Sequence, residues 1–297
     1  MDINFELYKA FYFAARSGSF SGAAQKLYIS QSAVSQAIKS LEDKLGSRLF
    51  VRKARNVGLT PEGDVLYRHV EQAYNFIKAA EARIQDMQNL RSGEVRIGVG
   101  DTICRYFLVP CLEKFTQRFP DIKIRVVNRT SSQIISILKN GLLDLGVVTL
   151  PVDDAAVIVK EFIDVEDAFV ASDKYARLKG RPLGFKEIAG LPLLLLPRSS
   201  STRRNLEAFM DKRGISLTPE IELESVDLLV EFARIGMGIA HVLRESAKNA
   251  IGKGELFELD TVEELPARKL GIVSLKEVPL SRASSEFAAF LRKQAEI

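Results

Sequence analysis

Tryptophan is absent from this 297-residue chain, and cysteine and histidine occur only twice each. Cys104 and Cys111 stand seven apart in what reads as one helix, which sets their Cα atoms roughly 10 Å apart and rules out a bond between them. They are expected to pack as small apolar groups, with redox sensing as the alternative. His69 and His241 have no partner at metal-ligand spacing, so no metal site is expected. Long apolar runs are missing too. The longest, near 193–196, is far too short to cross a bilayer, and Met1-Asp2-Ile3-Asn4-Phe5-Glu6 carries acids where a secretion signal needs bases. A cytoplasmic protein with no membrane partner is expected. Enzymatic fingerprints are equally scarce. Gly98-Val99-Gly100 follows an expected strand, yet Ile103 stands where a dinucleotide-binding loop needs glycine, and neither a phosphate loop nor a serine nucleophile elbow occurs. The chain therefore reads as a non-enzyme without a resident cofactor.

What is present is unevenly distributed charge. The formal net charge is +4, but residues 1–60 hold nine Lys/Arg against four Asp/Glu, residues 61–91 four against five, and residues 92–297 twenty-nine against twenty-nine. A basic head on a neutral body suits a head that meets polyanionic phosphate and a body that does not.

Apolar residues at helical spacing (Phe5, Leu7, Tyr8, Phe11, Ala14, Ala15) predict a first helix that stops at Ser17-Gly18-Ser19. A short second helix over 21–27 is rich in small residues, as close helix packing requires. After the turn Tyr28-Ile29-Ser30, Ser30 can cap a third helix that runs to Leu45 and stops at Gly46. Val34, Ile38, Leu41 and Leu45 form its buried stripe. The opposite face carries Gln31, Ser32, Ser35, Gln36 and Lys39, with no acid before Glu42, and suits the reading of base edges. This is a helix-turn-helix pattern, whose second helix enters the major groove of double-stranded DNA. A plain helical bundle would instead expose Glu and Lys there. Residues 48–52 and 57–59 around the polar turn 53–56 predict a hairpin wing, with Arg52, Lys53 and Arg55 placed to meet phosphates.

Thr60-Pro61 then starts a helix of nearly thirty residues, roughly 45 Å long. Leu66, Val70, Ala73, Ile77, Ala80, Ile84 and Met87 alternate by four and three, the seam of a coiled coil, which predicts a dimerising linker over 61–91. From Glu94 the texture becomes α/β. Strands are expected at 95–99, 122–127, 143–148, 157–163, 167–170, 193–196, 220–224, 238–242 and 270–273, with helices between most of them. Three strand-to-helix loops stand out as anion sites because helix N-termini present free N–H groups: Asp101-Thr102, Arg129-Thr130-Ser131-Ser132, and Arg198-Ser199-Ser200-Ser201-Thr202-Arg203. Thr149 ends another strand. Each serine or threonine taken singly reads as a helix cap. Together they favour a pocket for a small carboxylate or similar anion, built from Thr102, Thr130, Ser131, Thr149, Arg198, Ser199, Ser200 and Thr202.

Ser19-Phe20-Ser21-Gly22-Ala23-Ala24, Leu27-Tyr28-Ile29-Ser30-Gln31-Ser32-Ala33-Val34-Ser35, Ile38-Lys39-Ser40-Leu41-Glu42 with Leu45-Gly46, Leu49-Phe50, and Leu59-Thr60-Pro61-Glu62-Gly63 follow one another at one consistent spacing. Through these motifs most strongly, the chain resembles the LysR-type transcriptional regulators. Departures are Gln36, where a basic residue is frequent, and the wing at Val51-Arg52-Lys53-Ala54-Arg55-Asn56. The resemblance implies a winged helix-turn-helix over 1–60, a linker helix over 61–91, and over 92–297 a two-lobed body like the periplasmic binding proteins. Its lobes would span about 92–163 with 269–297, and 164–268, with an effector between them. It further implies a homodimer or homotetramer on an operator and contact with RNA polymerase. A secreted solute-binding protein would share the body, but not a basic helix-turn-helix head.

Overall fold

The computed structural model describes residues 3–52, 57–88 and 93–295. The chain divides into two compact units, Met1–Gln85 with Asn140–Leu142 and Asp86–Lys139 with Leu143–Ile297.

In the first unit, α1 (Phe5–Ser17), α2 (Phe20–Leu27) and α3 (Gln31–Leu45) precede a two-stranded antiparallel hairpin, β1 (Phe50–Arg52) with β2 (Val57–Leu59), and the 28-residue α4 (Pro61–Gln88). Local chemistry sets these limits. Ser30 Oγ accepts the Ala33 N–H at 3.1 Å, and Gly46 closes α3 in the left-handed region at φ 68°. Val34, Ile38 and Leu41 meet Phe11, Tyr12, Ala23 and Ala24 in the core of the head. The Glu42 carboxylate accepts the N–H groups of Leu49 (2.7 Å) and Phe50 (3.2 Å), tying the third helix to the hairpin. Tyr12 stacks on Tyr74 of α4, 4.6 Å between centroids, so the long helix starts as part of the head.

That attachment corrects one expectation. Val70 is buried in the head core and Leu66 packs against it. Both belong to the head core instead of a coiled-coil seam, because the heptad stripe first runs along the head. Further on, the same stripe is open. Ala73 and Ala80 are exposed, and Ile77 and Ile84 expose 41% and 58% of their surface. The Met87 side chain lies outside the described residues.

The second unit holds two five-stranded sheets. The first comprises β3 (Gly93–Val99), β4 (Ile122–Asn128), β5 (Leu145–Thr149), β6 (Val157–Val165) and the returning β12 (Arg268–Leu275), in the order β4-β3-β5-β12-β6. Between β3 and β4 lie α5 (Asp101–Ile103), a π-helical turn (Cys104–Leu108) and α6 (Val109–Arg118); α7 (Ser131–Lys139) links β4 to β5. The second sheet comprises β7 (Asp167–Ala171), β8 (Leu193–Leu195), β9 (Pro219–Glu222), β10 (Ile239–Leu243) and β11 (Phe257–Glu258), in the order β11-β7-β10-β8-β9. Around it are α8 (Phe185–Ala189), α9 (Ser201–Asp211), α10 (Val226–Arg234) and α11 (Arg244–Gly252), and α12 (Arg282–Ala295) is the last element described. In each sheet three parallel strands share one winding: the first strand lies central, the second to one side and the third to the other. The topological switch beside each central strand opens a crevice at the carboxyl ends, where α/β sheets bind ligands.

All nine expected strands are present. The two-residue β11, with no alternating pattern to announce it, was not among them. The helix expected to carry both cysteines is interrupted by the π turn. Cys104 and Cys111 are free and half-buried against the core of the first sheet, and burial raises both thiols above their ordinary pKa. Helix α7 sits directly on two glycines. A Cβ at Gly146 would come within 2.5 Å of Ile134 Cγ2, and one at Gly98 within 2.9 Å, so only glycine lets this helix lie so close to its sheet.

Candidate functional site

Two surfaces carry chemistry. On the head, Ser30, Gln31, Ser32, Ser35, Gln36 and Lys39 are all exposed along one side of α3. Ser30 Oγ is occupied, accepting the Ala33 N–H as the helix cap and sharing a hydrogen bond with Ser32 Oγ at 2.9 Å, which makes it a structural cap more than a free polar group. The others project from a helix held rigidly by its buried stripe and by Glu42. Of the wing residues singled out, the backbone of Arg52 is in β1, while its side chain and both Lys53 and Arg55 lie outside the described residues.

In the second unit the crevices of the two sheets merge into one cavity of about 740 Å³. Thr102, Thr130, Ser131, Thr149, Ser199, Ser200 and Thr202 all line it, together with Asp101, Asn128, Gln133 and Ser201. Each stands at or beyond the carboxyl end of a strand or on the first turn of a helix. The hydroxyls do more than cap. Ser200 occupies the N-cap position of α9 without making the cap bond, and Ser131 Oγ accepts the Thr149 N–H and the Ser201 hydroxyl, each at 3.2 Å. The Ser131–Ser201 bond crosses from one sheet's side to the other. The N-termini of α7 and α9 thus open on the same space, each with first-turn N–H groups that no intrahelical carbonyl can satisfy. An anion there would meet two converging positive dipole ends.

Arg198 is a correction. Its guanidinium donates to Glu207 Oε1 at 3.1 Å, is 76% exposed and does not line the cavity. Arg204 lines it instead, braced by the Ser199 carbonyl (2.6 Å) and by Ser201 Oγ (3.2 Å). At three residues beyond Ser201, Arg204 falls on the face of the first turn that the loop pattern had marked. Arg129, Glu224 and Arg268 also reach the cavity; Glu224 and Arg268 come from distant segments and left no local signal.

Two further contacts hold the walls together. Asp227 of α10 receives Arg105 Nη1 at 2.6 Å and the Tyr106 hydroxyl at 2.7 Å, both from the π turn on the other side. Burial, followed by this bond, pushes the Tyr106 phenol up to about 12, so it stays a donor. Where the chain crosses between sheets, Arg268 donates both Nε and Nη2 to the Asp167 carboxylate, the second bond at 2.6 Å. Nearby, burial pulls the fully enclosed His241 imidazole down to about 4; Asp167 opposes that shift, and Arg268 and Arg203 reinforce it.

A winged helix-turn-helix head with a cleft-bearing α/β body defines a ligand-responsive DNA-binding regulator. The LysR substrate binding domain family matches residues 88–296, and the bacterial regulatory helix-turn-helix protein, lysR family, matches residues 5–64. The chain is 30% identical over 282 residues to the HTH-type transcriptional regulator CbbR of Rhodospirillum rubrum, covering 95% of this chain and 93% of that one. CrgA, a LysR-type transcriptional regulator from Neisseria meningitidis, superposes with a TM-score of 0.59 at 25% identity over 100% of both chains. ArgP from Mycobacterium tuberculosis shares the fold, with a TM-score of 0.72 at 19% identity over 99% and 98% of the two chains. This chain belongs to the LysR family of transcriptional regulators: it binds DNA through its head and carries an effector-binding domain behind it.

Proposed function

We propose that the cavity takes a small carboxylate-bearing metabolite, and that this ligand changes how paired chains sit on an operator in the cytoplasm. The observation that carries the reading is the convergence of α7 and α9 N-termini on one cavity, with Arg129 and Arg204 at its wall. Ala73, Ile77, Ala80, Ile84 and Met87 would join two chains through α4, as a dimer or as a tetramer of two such pairs. Binding would favour one arrangement by its differential affinity and so alter DNA bend and contact with RNA polymerase. The non-enzymatic reading rests on relatives being named as regulators.

Thermal melting of the full chain against a panel of carboxylates tests the cavity. A ligand at about 100 times its Kd adds about 2.7 kcal/mol, or a shift of roughly 5 to 10 °C. Thr202→Val together with Ser131→Ala should remove most of that shift; an unchanged shift in the double variant would place the ligand elsewhere.

For the head, Gln36→Ala or Ser35→Ala should erode the preference for operator over random duplex by about tenfold, the equivalent of roughly 1 to 2 kcal/mol of base readout. Arg52→Ala should weaken both duplexes alike and flatten the salt dependence. Gel shifts at several salt concentrations separate these outcomes, and equal losses for all three would sink the assignment of roles.

A further inference from the structure

Tyr28 is the one non-glycine residue among those described with a positive φ, at 57°, and it is 95% exposed. A bulky side chain rarely adopts this left-handed conformation, which glycine and asparagine fill without comparable strain. The turn itself does not need the ring. Its geometry is set by the backbone: the Tyr28 N–H reaches the carbonyls of Ala24 and Gln25, and the Ile29 N–H reaches Ala24 O at 3.1 Å. Among the described residues the phenol has no hydrogen-bond partner and no ring neighbour. The fold thus accepts strain at this position and leaves a large apolar ring with a polar tip in water, gaining no packing in return.

Its place in the head is informative. Tyr28 is the joint between α2 and α3, two residues before the cap Ser30. In a helix-turn-helix the first helix crosses the sugar-phosphate backbone while the second enters the groove by its N-terminus. The joint between them therefore stands over a backbone strand at the groove's edge. We propose that Tyr28 is a DNA contact whose hydroxyl donates to a phosphate oxygen beside the site read by α3. This rests on the reading that α3 enters the groove. A neutral hydroxyl at a phosphate positions the protein without reading sequence, and it neutralises no charge.

The test uses the full chain and two labelled duplexes, one carrying the operator footprinted upstream of the protein's own gene and one of random sequence. Tyr28→Phe should weaken both by about tenfold, the size of one hydrogen bond to a charged acceptor, with the slope against salt unchanged. Tyr28→Asn should do the same while melting at the same temperature or higher, since asparagine suits the turn. Gln36→Ala runs alongside as the readout of α3. If both Tyr28 variants bind like the parent chain while Gln36→Ala loses discrimination, the phosphate contact is refuted and the reading of α3 stands. If Gln36→Ala also binds like the parent, the reading of α3 fails and the Tyr28 contact with it. A loss confined to the operator duplex would make Tyr28 a base contact and overturn the proposal as stated.

Discussion

Gly63→Ala is expected to destabilise the head by about 3 kcal/mol or more and to abolish DNA binding, while leaving any ligand response of the effector-binding domain intact. The added Cβ would sit 2.1 Å from the Leu49 carbonyl oxygen and 3.0 Å from its carbon. No flexible side chain can yield there, since the obstacle is backbone. That same oxygen accepts the Thr60 N–H at 3.0 Å, while Thr60 Oγ1 accepts from Gly63 N–H at 2.9 Å and donates to the Arg48 carbonyl at 2.7 Å. The start of α4, its cap and the first wing strand therefore meet at one point. Displacing Leu49 also pulls on Glu42, and through it on α3. Gly184→Ala, where an added Cβ meets nothing within 4 Å, should stay within about 0.5 kcal/mol of the parent and serves as the control. Melting temperature and gel shift read both variants; a Gly63→Ala protein that binds its operator normally would show that the contact can relax.

A second large effect is expected at the crossing between the two sheets. Arg268 and Asp167 each expose only 5% of their side chains, so removing one partner strands a buried charge. Arg268→Met alone should cost about 3 to 5 kcal/mol, and pairing it with Asp167→Leu should recover much of that loss, because two apolar groups leave no unpaired charge. Denaturant midpoints of the three proteins decide it; a double variant no better than Arg268→Met would mean that the pair's shape matters more than its charge.

His241 adds an acid limit at the same place. Its imidazole ionises at about 4 in the folded chain and at 6.5 when unconstrained. Between those values the unfolded chain holds the extra proton, so His241 contributes stability above pH 6.5 and loses it as pH falls towards 4, by about 3 kcal/mol in all. His241→Phe should flatten that part of the stability profile.

Much of the head was legible because its signals are local. Ser30, Gly18 and Gly46 act on the adjacent turn, and a stripe such as Val34, Ile38 and Leu41 repeats within one helix. Nine of the ten strands described in the body declared themselves in the same way, by short apolar runs between turns. The cavity was partly legible, since Thr102, Thr130, Ser131, Thr149, Ser199, Ser200 and Thr202 all stand at strand ends or in the loops and helix starts that follow them, where the cavity opens. The exchange of Arg198 for Arg204 was not, because which arginine turns inward depends on whether Glu207 lies close enough to hold the other.

What the sequence alone determined is therefore whatever a residue settles with neighbours a few positions away: helix limits, the acid-free face of α3, the run of strands and the loops at their ends. Tertiary structure decided which of several equivalent surfaces was covered. Leu66 and Val70 carry the same heptad spacing as Ile77 and Ile84, yet only the first pair meets the head core. Arg268 and Glu224 reach the cavity from segments far from its loops. Burial and charge pairing across such separations follow from how the sheets wind and pack, and no local pattern encodes that.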